Sequence, residues 1–227
     1  MNRKFIIFFE KSGYIKYISH LDMMRLFNRV IRKCSIKLAY SQGFNPHPKM
    51  SFALPLALGY TGKNEILEIE TAEDYKTAFI LSSLNRAMPD GISIKDVQED
   101  RGERGNKTIA SAVYAGEYIA EIPLVDDASA KLGNITEKTA AFLSQPIIVA
   151  EKLQRKTGKI LEIDIKPLID TLTAVIIDNK FIMTTIVAQG STATLSPELL
   201  LTVFCKFIGL DFERSEVEMT RTQILYH

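Results

Sequence analysis

The order of apolar patterns in the first hundred residues is the feature that most restricts the fold. Short apolar or alternating runs are typical of strands, whereas apolar residues three and four positions apart are typical of helices. Here the two patterns follow in the order strand, helix, strand, strand, helix, strand. This order predicts an α+β, ferredoxin-like βαββαβ unit with an antiparallel sheet. The segments are the predicted strands 3–9, 36–40, 65–70 and 92–97 and the predicted helices 20–34 and 71–88, the second capped by Thr71.

The second half repeats this outline with one extra hairpin, so the sequence predicts two ferredoxin-like units in tandem. The first unit is expected at 1–99 and the second at 108–227. The charged, glycine-containing segment 100–107 between them is typical of a solvated linker. The second unit is predicted from strands at 117–122, 147–150, 160–165, 171–177, 181–188 and 217–223, and from helices at 126–144 and from Ser196 to Gly209.

Composition excludes several classes of protein. The net charge is +1 and apolar residues make up 46% of the chain, as in an ordinary packed globular protein that still has room for a local basic face. Cys34 and Cys205 are far apart and belong to no metal-binding motif, so no cofactor is expected in this chain. No apolar run approaches the roughly 20 residues that cross a bilayer. We therefore expect a cytoplasmic protein with no membrane partner.

The helix predicted at 20–34 has one apolar face and one basic face. Ser19 is a good N-cap, and Asp22 is the acidic residue that a first helical turn favours. Arg25, Arg29 and Arg32 are spaced so that they form one exposed stripe. Such a stripe can bind successive phosphates. A solvated helix face with an Asp22–Arg25 pair is the simpler explanation of the stripe taken alone, but the polar loop that follows favours binding.

The loop from Ser41 to Ser51 concentrates polar side chains around two prolines, Pro46 and Pro48. Pro46 and Pro48 bias the residues before them towards extended backbone, so the neighbouring side chains lose less entropy on binding. Phe44 is either a base-stacking residue or an anchor into the core. The candidate binding residues of the chain are Ser19, His20, Asp22, Arg25, Arg29, Arg32, Ser41, Gln42, Phe44, Asn45, His47, Lys49 and Ser51.

His20 and His47 are the candidate catalytic residues, as a general acid or base. No nucleophile elbow, dinucleotide fingerprint or phosphate-binding loop accompanies them. With Asp22 they also provide metal-ligand types, but their spacing fits no metal motif, so we expect no metal site.

The segments Ser19-His20-Leu21-Asp22 and 41–48 resemble the radical-SAM-linked protein family, bacterial proteins found alone or attached to radical SAM proteins with a B12-binding region. The resemblance is specific from about Lys11 to Gly59 and looser at 164–167 and 195–200. It implies a radical SAM enzyme as partner but no established activity. This chain lacks a cluster-binding cysteine motif, so we do not expect it to be that enzyme.

Three functional hypotheses remain open from the sequence. The first is an accessory module that binds RNA, such as tRNA or rRNA, or another polyanion through the first unit and presents it to a radical SAM enzyme. The second is a metal-independent RNA-processing enzyme that uses His20 or His47. The third is a protein-interaction subunit whose arginine stripe and loop dock onto the partner.

Overall fold

The computed structural model describes residues 2–100, 102, 107–124, 132–154 and 158–227. The chain forms two compact units. The first comprises Met1–Val113 together with Arg221–His227, and the second comprises Tyr114–Thr220. Each unit combines helices with mostly antiparallel strands, so the chain is a mixed α/β protein. Among the described residues, no helix is both long and apolar enough to cross a membrane.

The first unit has the predicted order of elements. Its strands are β1 (Arg3–Lys11), β2 (Met50–Phe52), β3 (Thr61–Thr71) and β4 (Ile92–Asp100), and its main helices are α1 (His20–Lys33) and α2 (Thr77–Ala87). β1 lies between β4 and β3, and β2 pairs with the far side of β3, always antiparallel. The last residues of the chain, from Arg221, also run beside β3.

Both main helices cover one face of this sheet. Alternate residues of β1 and β3 point to the same face, and here they carry Phe5, Ile7, Phe9, Leu67 and Ile69. These residues form one buried cluster with the apolar faces of the helices. The predicted apolar face of α1 is confirmed, since Met23, Phe27, Val30 and Ile31 are buried and Leu26 and Cys34 are partly buried against the same core.

The opposite face of the sheet has its own smaller core. Ile6 and Ile66 pack there with Ile109, the first residue of the short helix α3 (Ile109–Ala112). Ile109 belongs to the predicted second unit, 108–227, but it packs in the first. The compact units therefore have limits different from those that the sequence predicts. Asp100, placed in the predicted linker 100–107, ends β4 instead, while residues 101 and 103–106 of that segment lie outside the described residues.

In the second unit, β5, β9 and β8 are neighbours in this order and pair antiparallel, and β6 and β7 form a separate two-stranded sheet. The extra hairpin predicted from strands 171–177 and 181–188 is confirmed, because Asp178 and Asn179 have positive φ and join β8 to β9 in a tight turn. The elements are β5 (Val113–Pro123), α4 (Ile135–Ser144), β6 (Val149–Gln154), β7 (Lys159–Asp164), β8 (Ile169–Ile177), β9 (Lys180–Ala188) and α5 (Pro197–Ile208); β10 (Glu218–Tyr226) begins in this unit and ends in the first.

Three local predictions are wrong. Residues 36–40 form only isolated bridges, at Leu38 and Tyr40. Thr71 does not cap α2, because it ends β3 and its hydroxyl donates to the Glu73 carbonyl. The helix predicted at 126–144 is interrupted: Leu132 is helical, Gly133 has a φ of 62°, and a helix capped by the Asn134 side chain begins at Ile135. Residues 126–131 of that prediction lie outside the described residues.

Candidate functional site

The start of α1 is fixed by a reciprocal contact between Ser19 and Asp22. The Ser19 hydroxyl accepts from the Asp22 N–H at 3.1 Å and donates to the Asp22 carboxylate at 2.7 Å. This confirms the predicted N-cap. The hydrogen bond from Ser19, followed by that from Arg25, lowers the pKa of the Asp22 carboxyl. Asp22 is therefore committed to the helix end and to Arg25.

The three arginines of α1 lie in one exposed row, as predicted. Arg25 pairs with Asp22 at 3.0 Å, and both side chains are exposed to solvent. An exposed ion pair of this kind contributes little to stability. Arg29 has no ion pair within the part of the chain that the structure describes. Arg32 donates from Nη2 to the Tyr40 hydroxyl at 3.0 Å. This contact joins the arginine row to the beginning of the polar loop.

Asn28 is a member of this surface that the sequence did not single out. It lies between the arginines and lines the same shallow depression as Arg25, Arg29 and Arg32. Its Oδ1 is buried and accepts no hydrogen bond from any described residue. An unsatisfied buried acceptor is uncommon in folded proteins. Only its position within the arginine stripe could have identified it from sequence.

The loop after Tyr40 is closed at its base and exposed at its tip. Ser41 N–H donates to the His47 carbonyl at 2.9 Å, and His47 N–H donates to the Ser41 hydroxyl at 3.0 Å. Gln42, Asn45 and the other residues between them are exposed, and the Phe44 ring is completely exposed. The alternative that Phe44 anchors the loop in the core is therefore wrong, because its ring touches none of it.

The end of the loop faces a second depression, on the face of the sheet away from α1 and α2. Ser41, His47, Lys49 and Ser51 line it together with Lys4 and the acidic residues Glu68 and Glu70. Lys49 contacts both carboxylate oxygens of Glu70, at 2.9 and 3.0 Å. The positive charge of Lys49 is thus already matched within the protein.

His20 lies apart from the loop. Its ring stands edge-on against Phe52, with centroids 5.5 Å apart, and it lines a third cavity. The two candidate histidines consequently line different depressions. In the described ranges, no three His, Cys, Asp or Glu side chains come together as a metal site would require.

A buried charged cluster that the sequence did not predict lies next to the cavity beside His20, which Glu65 lines. Arg221 and Glu65 are both almost fully buried and form two hydrogen bonds, one of 2.8 Å from Nε to Oε1 and a second from Nη2 to Oε2. Arg221 also donates to the carbonyls of Leu54 and Pro55. Lys11 and Glu65 line the cavity with His20. No sequence pattern indicates that Arg221 contacts Glu65 on β3, 156 positions earlier in the chain.

The sequence match that decides the family covers most of the chain. A family model described as "Uncharacterized protein conserved in bacteria (DUF2344)" matches residues 4–197. The chain belongs to the DUF2344 family. Every candidate residue of α1 and the loop lies inside the matched range of this DUF2344 chain.

Solved structures add no argument beyond this. A crystal structure of an unknown protein from Galdieria sulphuraria is 13% identical, with a TM-score of 0.28, 98% of this chain covered and 100% of that one. A crystal structure of a "putative glycine cleavage system transcriptional repressor" is 11% identical, with a TM-score of 0.29 and coverage of 100% and 99%. No curated protein matches this DUF2344 chain.

Proposed function

We propose that the first unit is an RNA-binding module that uses the α1 arginine row and the loop from Tyr40 to Lys49 as one surface, called here the α1–loop surface. The observation that carries the proposal is the hydrogen bond from Arg32 to Tyr40. It places the last guanidinium of the row at the base of the exposed loop. An RNA strand bound along the arginine row would therefore continue directly onto the loop.

The charge on this surface is available to a partner. Arg29 has no carboxylate partner among the described residues, and Arg32 contacts only a neutral hydroxyl. The Arg25–Asp22 pair is exposed, so an incoming phosphate can compete for Arg25. Guanidinium groups bind phosphate oxygens in a bidentate manner, and contacts of this kind supply most of the affinity for nucleic acid.

The loop provides the feature that favours unpaired RNA. Phe44 presents a free aromatic face at the tip of a loop whose base is hydrogen-bonded. Unpaired bases stack on such rings, and each stacked base contributes about 1–3 kcal/mol. Asn45 and Gln42 beside it have amide groups that can bond to base edges. Single-stranded RNA, or the loop of a tRNA or rRNA, is the ligand that matches this combination.

In this proposal the whole chain is a tandem of ferredoxin-like units and is an accessory to a radical SAM enzyme, the partner class that the sequence resemblance implies. The first unit would hold the RNA while the partner supplies the chemistry. Co-purification with the radical SAM enzyme encoded in the same bacterial genome, with and without ribonuclease treatment, tests the association. Retention of the enzyme only when RNA is intact is the expected result.

The binding test compares two triple variants of equal charge change. Fluorescence anisotropy with a labelled single-stranded RNA is measured over a salt series for the wild type and for Arg25→Ala/Arg29→Ala/Arg32→Ala. The control replaces three exposed lysines elsewhere, Lys76, Lys152 and Lys206, with alanine. Each lost phosphate contact should reduce the slope of log K against log salt by about 0.7. We therefore expect a slope reduction of about 2 for the arginine variant and little change for the control.

Two outcomes count against the proposal. Equal losses in the two triple variants would show a diffuse charge effect with no role for the α1–loop surface. No binding by the wild type at low salt would reject RNA as the ligand. Incubation of the same RNA for hours, followed by a sizing gel, separates binding from cleavage, since fragments would favour the enzyme hypothesis instead.

A further inference from the structure

The first unit exposes its large apolar side chains at the two ends of α1. Among the described residues of this unit, seven such side chains are exposed, and six of them lie at one end of α1 or the other. Tyr40 and Phe44 follow its last turn, and the remaining four lie near its first turn: Tyr14, Tyr17, Leu21 and Leu58. Scattered exposed apolar residues are ordinary, but a cluster at each end of one helix indicates a ligand surface.

The cluster at the first turn is built on a short 3₁₀ helix, Gly13–Tyr17, that precedes α1. Tyr14 is 95% exposed and Tyr17 is 64% exposed, so neither ring is needed for the core. The Gly59 N–H donates to the Lys16 carbonyl at 2.9 Å, which brings the apolar loop before Gly59 to this turn. Lys16 Nζ lies 5.4 Å from the centre of the Tyr17 ring, within the range of a cation–π contact. A cation thus accompanies the two exposed rings.

The arginine row connects this cluster to the loop at the other end of α1. Leu21 lies one helical turn before Arg25, and residues four positions apart share a face of a helix. Arg29 and Arg32 continue the row to the last turn, where Arg32 contacts Tyr40. At a rise of about 1.5 Å per residue, the 14 residues of α1 separate the two ends by about 20 Å. The exposed rings therefore stand at both ends of a row of cations.

Charge decides which kind of ligand this arrangement suits. From Lys11 to Asn64 the sequence contains nine Lys or Arg residues and a single acidic residue, Asp22, although the whole chain has a net charge of only +1. Asp22 is already paired with Arg25. So strong a local excess of positive charge favours a polyanion over an apolar protein surface. Cations combined with exposed aromatic rings are the combination by which proteins bind unpaired nucleic acid.

We propose that Tyr14 and Tyr17 form a second base-stacking site, so that one single-stranded stretch of RNA lies along α1 with bases stacked at both of its ends. This inference rests on the RNA-binding function proposed above and adds the far end of its surface. Bases stack on the tyrosines at one end and on Phe44 at the other, while the arginines between them bind phosphates. Paired bases cannot stack in this way, so the ligand is unpaired over the length of α1.

The affinity test compares variants that remove the rings with variants that keep them. Fluorescence anisotropy with a labelled single-stranded RNA of about 12 nucleotides is measured for Tyr14→Ala/Tyr17→Ala and for Tyr14→Phe/Tyr17→Phe. The matched control is Phe79→Ala, which removes an exposed ring on α2. We expect an affinity loss of about tenfold for the alanine pair and less than about twofold for the other two. The salt slope should stay at the wild-type value, because no phosphate contact is lost.

The direction of the bound strand gives a second test, in the wild-type chain. Two RNAs of the same sequence are used, one with 4-thiouridine at its 5′ end and the other with 4-thiouridine at its 3′ end. After irradiation, the modified peptides are identified by mass spectrometry. We expect one RNA to modify the peptide of Tyr14 and Tyr17 and the other to modify the peptide of Phe44. This test needs no variant, so it holds even where a substitution disturbs folding.

Failure of this inference is distinguishable from failure of the proposed function. Wild-type affinity in the tyrosine-to-alanine pair, together with a loss for Phe44→Ala, would remove the second site and leave RNA binding in place. Loss of the radical SAM enzyme on co-purification, with unchanged RNA affinity, would reassign the tyrosines to protein docking and overturn the inference. Modification of the same peptide by both end-labelled RNAs would contradict a strand lying along α1. Absence of RNA binding by the wild type would reject both proposals.

Discussion

The first unit holds charge in two contrasting ways. On the α1–loop surface, the guanidinium groups are in water, and their contacts are single hydrogen bonds to exposed partners such as Asp22 and Tyr40. In the buried cluster of Arg221 and Glu65, both side chains are removed from water and are joined by paired hydrogen bonds. The first arrangement leaves charge available for a ligand at little cost. The second is part of the core, and its charges are already used within the protein.

The difference shows what each cluster can contribute. Exposed pairs rarely contribute more than about 1 kcal/mol to stability, so the α1–loop surface can change with little effect on folding. Breaking a buried pair typically costs about 3–5 kcal/mol, because the remaining charge is uncompensated. Substitutions in the two clusters should therefore separate into those that affect binding and those that affect folding.

The largest expected effect comes from Glu65→Gln. This change leaves the buried Arg221 guanidinium without its counter-charge, and we expect unfolding in urea to require about 3–5 kcal/mol less than in the wild type. The matched control is Asp74→Asn, which removes an exposed carboxylate that faces Arg3 at 3.5 Å. The control should alter the free energy of unfolding by at most about 0.5 kcal/mol. Equal losses of unfolding free energy in the two variants would show that the buried pair is no more important for stability than the exposed one.

The next effect tests how tightly Glu65 is held. A methyl group added at Gly62 would lie 2.5 Å from Glu65 Cγ, so Gly62→Ala must displace a carboxylate that Arg221 fixes. We expect a loss of about 1–3 kcal/mol, measured by the same urea titration. The loss should shrink in a Glu65→Gln background, where the paired contact is already absent. If the losses in unfolding free energy from Gly62→Ala and Glu65→Gln simply add in the double variant, the two positions are not coupled.

Phe44→Ala should reverse the pattern, with an effect on binding and none on folding. The ring has no contact with the core, so the free energy of unfolding should stay within about 0.5 kcal/mol of the wild type. The affinity for single-stranded RNA should fall by about 1–3 kcal/mol, as expected for one lost stacking contact. Phe44→Tyr, which keeps an aromatic ring, is the control. A loss of stability with unchanged RNA affinity would contradict the assignment.

The smallest effect is expected for Asp22→Asn. Because its folded pKa is lowered, Asp22 contributes stability above the pKa of the unfolded carboxyl and loses that contribution as pH falls through the folded pKa. The variant should therefore show a slightly smaller drop in the urea midpoint between pH 7 and pH 2 than the wild type. A larger drop in the variant would mean that the sign of this linkage is wrong.

The same contrast explains what the sequence could predict. Arg25, Arg29 and Arg32 follow from helical spacing, and Ser19 from the chemistry of helix caps, because both are local. The exposure of the Phe44 ring could not be predicted, since an aromatic residue in a loop is equally compatible with a side chain that anchors the loop in the core. Arg221 is out of reach of any local pattern, because its partner Glu65 lies 156 positions away. The prediction that Thr71 caps α2 is wrong because β3 extends to Thr71, where pairing with β1 outweighs the capping preference of threonine.

Photocross-linking measures most directly whether the α1–loop surface is where RNA binds. A single-stranded RNA containing 4-thiouridine is bound to the wild-type chain, irradiated, and the modified peptides are identified by mass spectrometry. We expect adducts in the loop at Phe44 and its neighbours and on the exposed face of α1. Adducts confined to the second unit, or to the sheet face lined by Lys4 and Glu70, would contradict it.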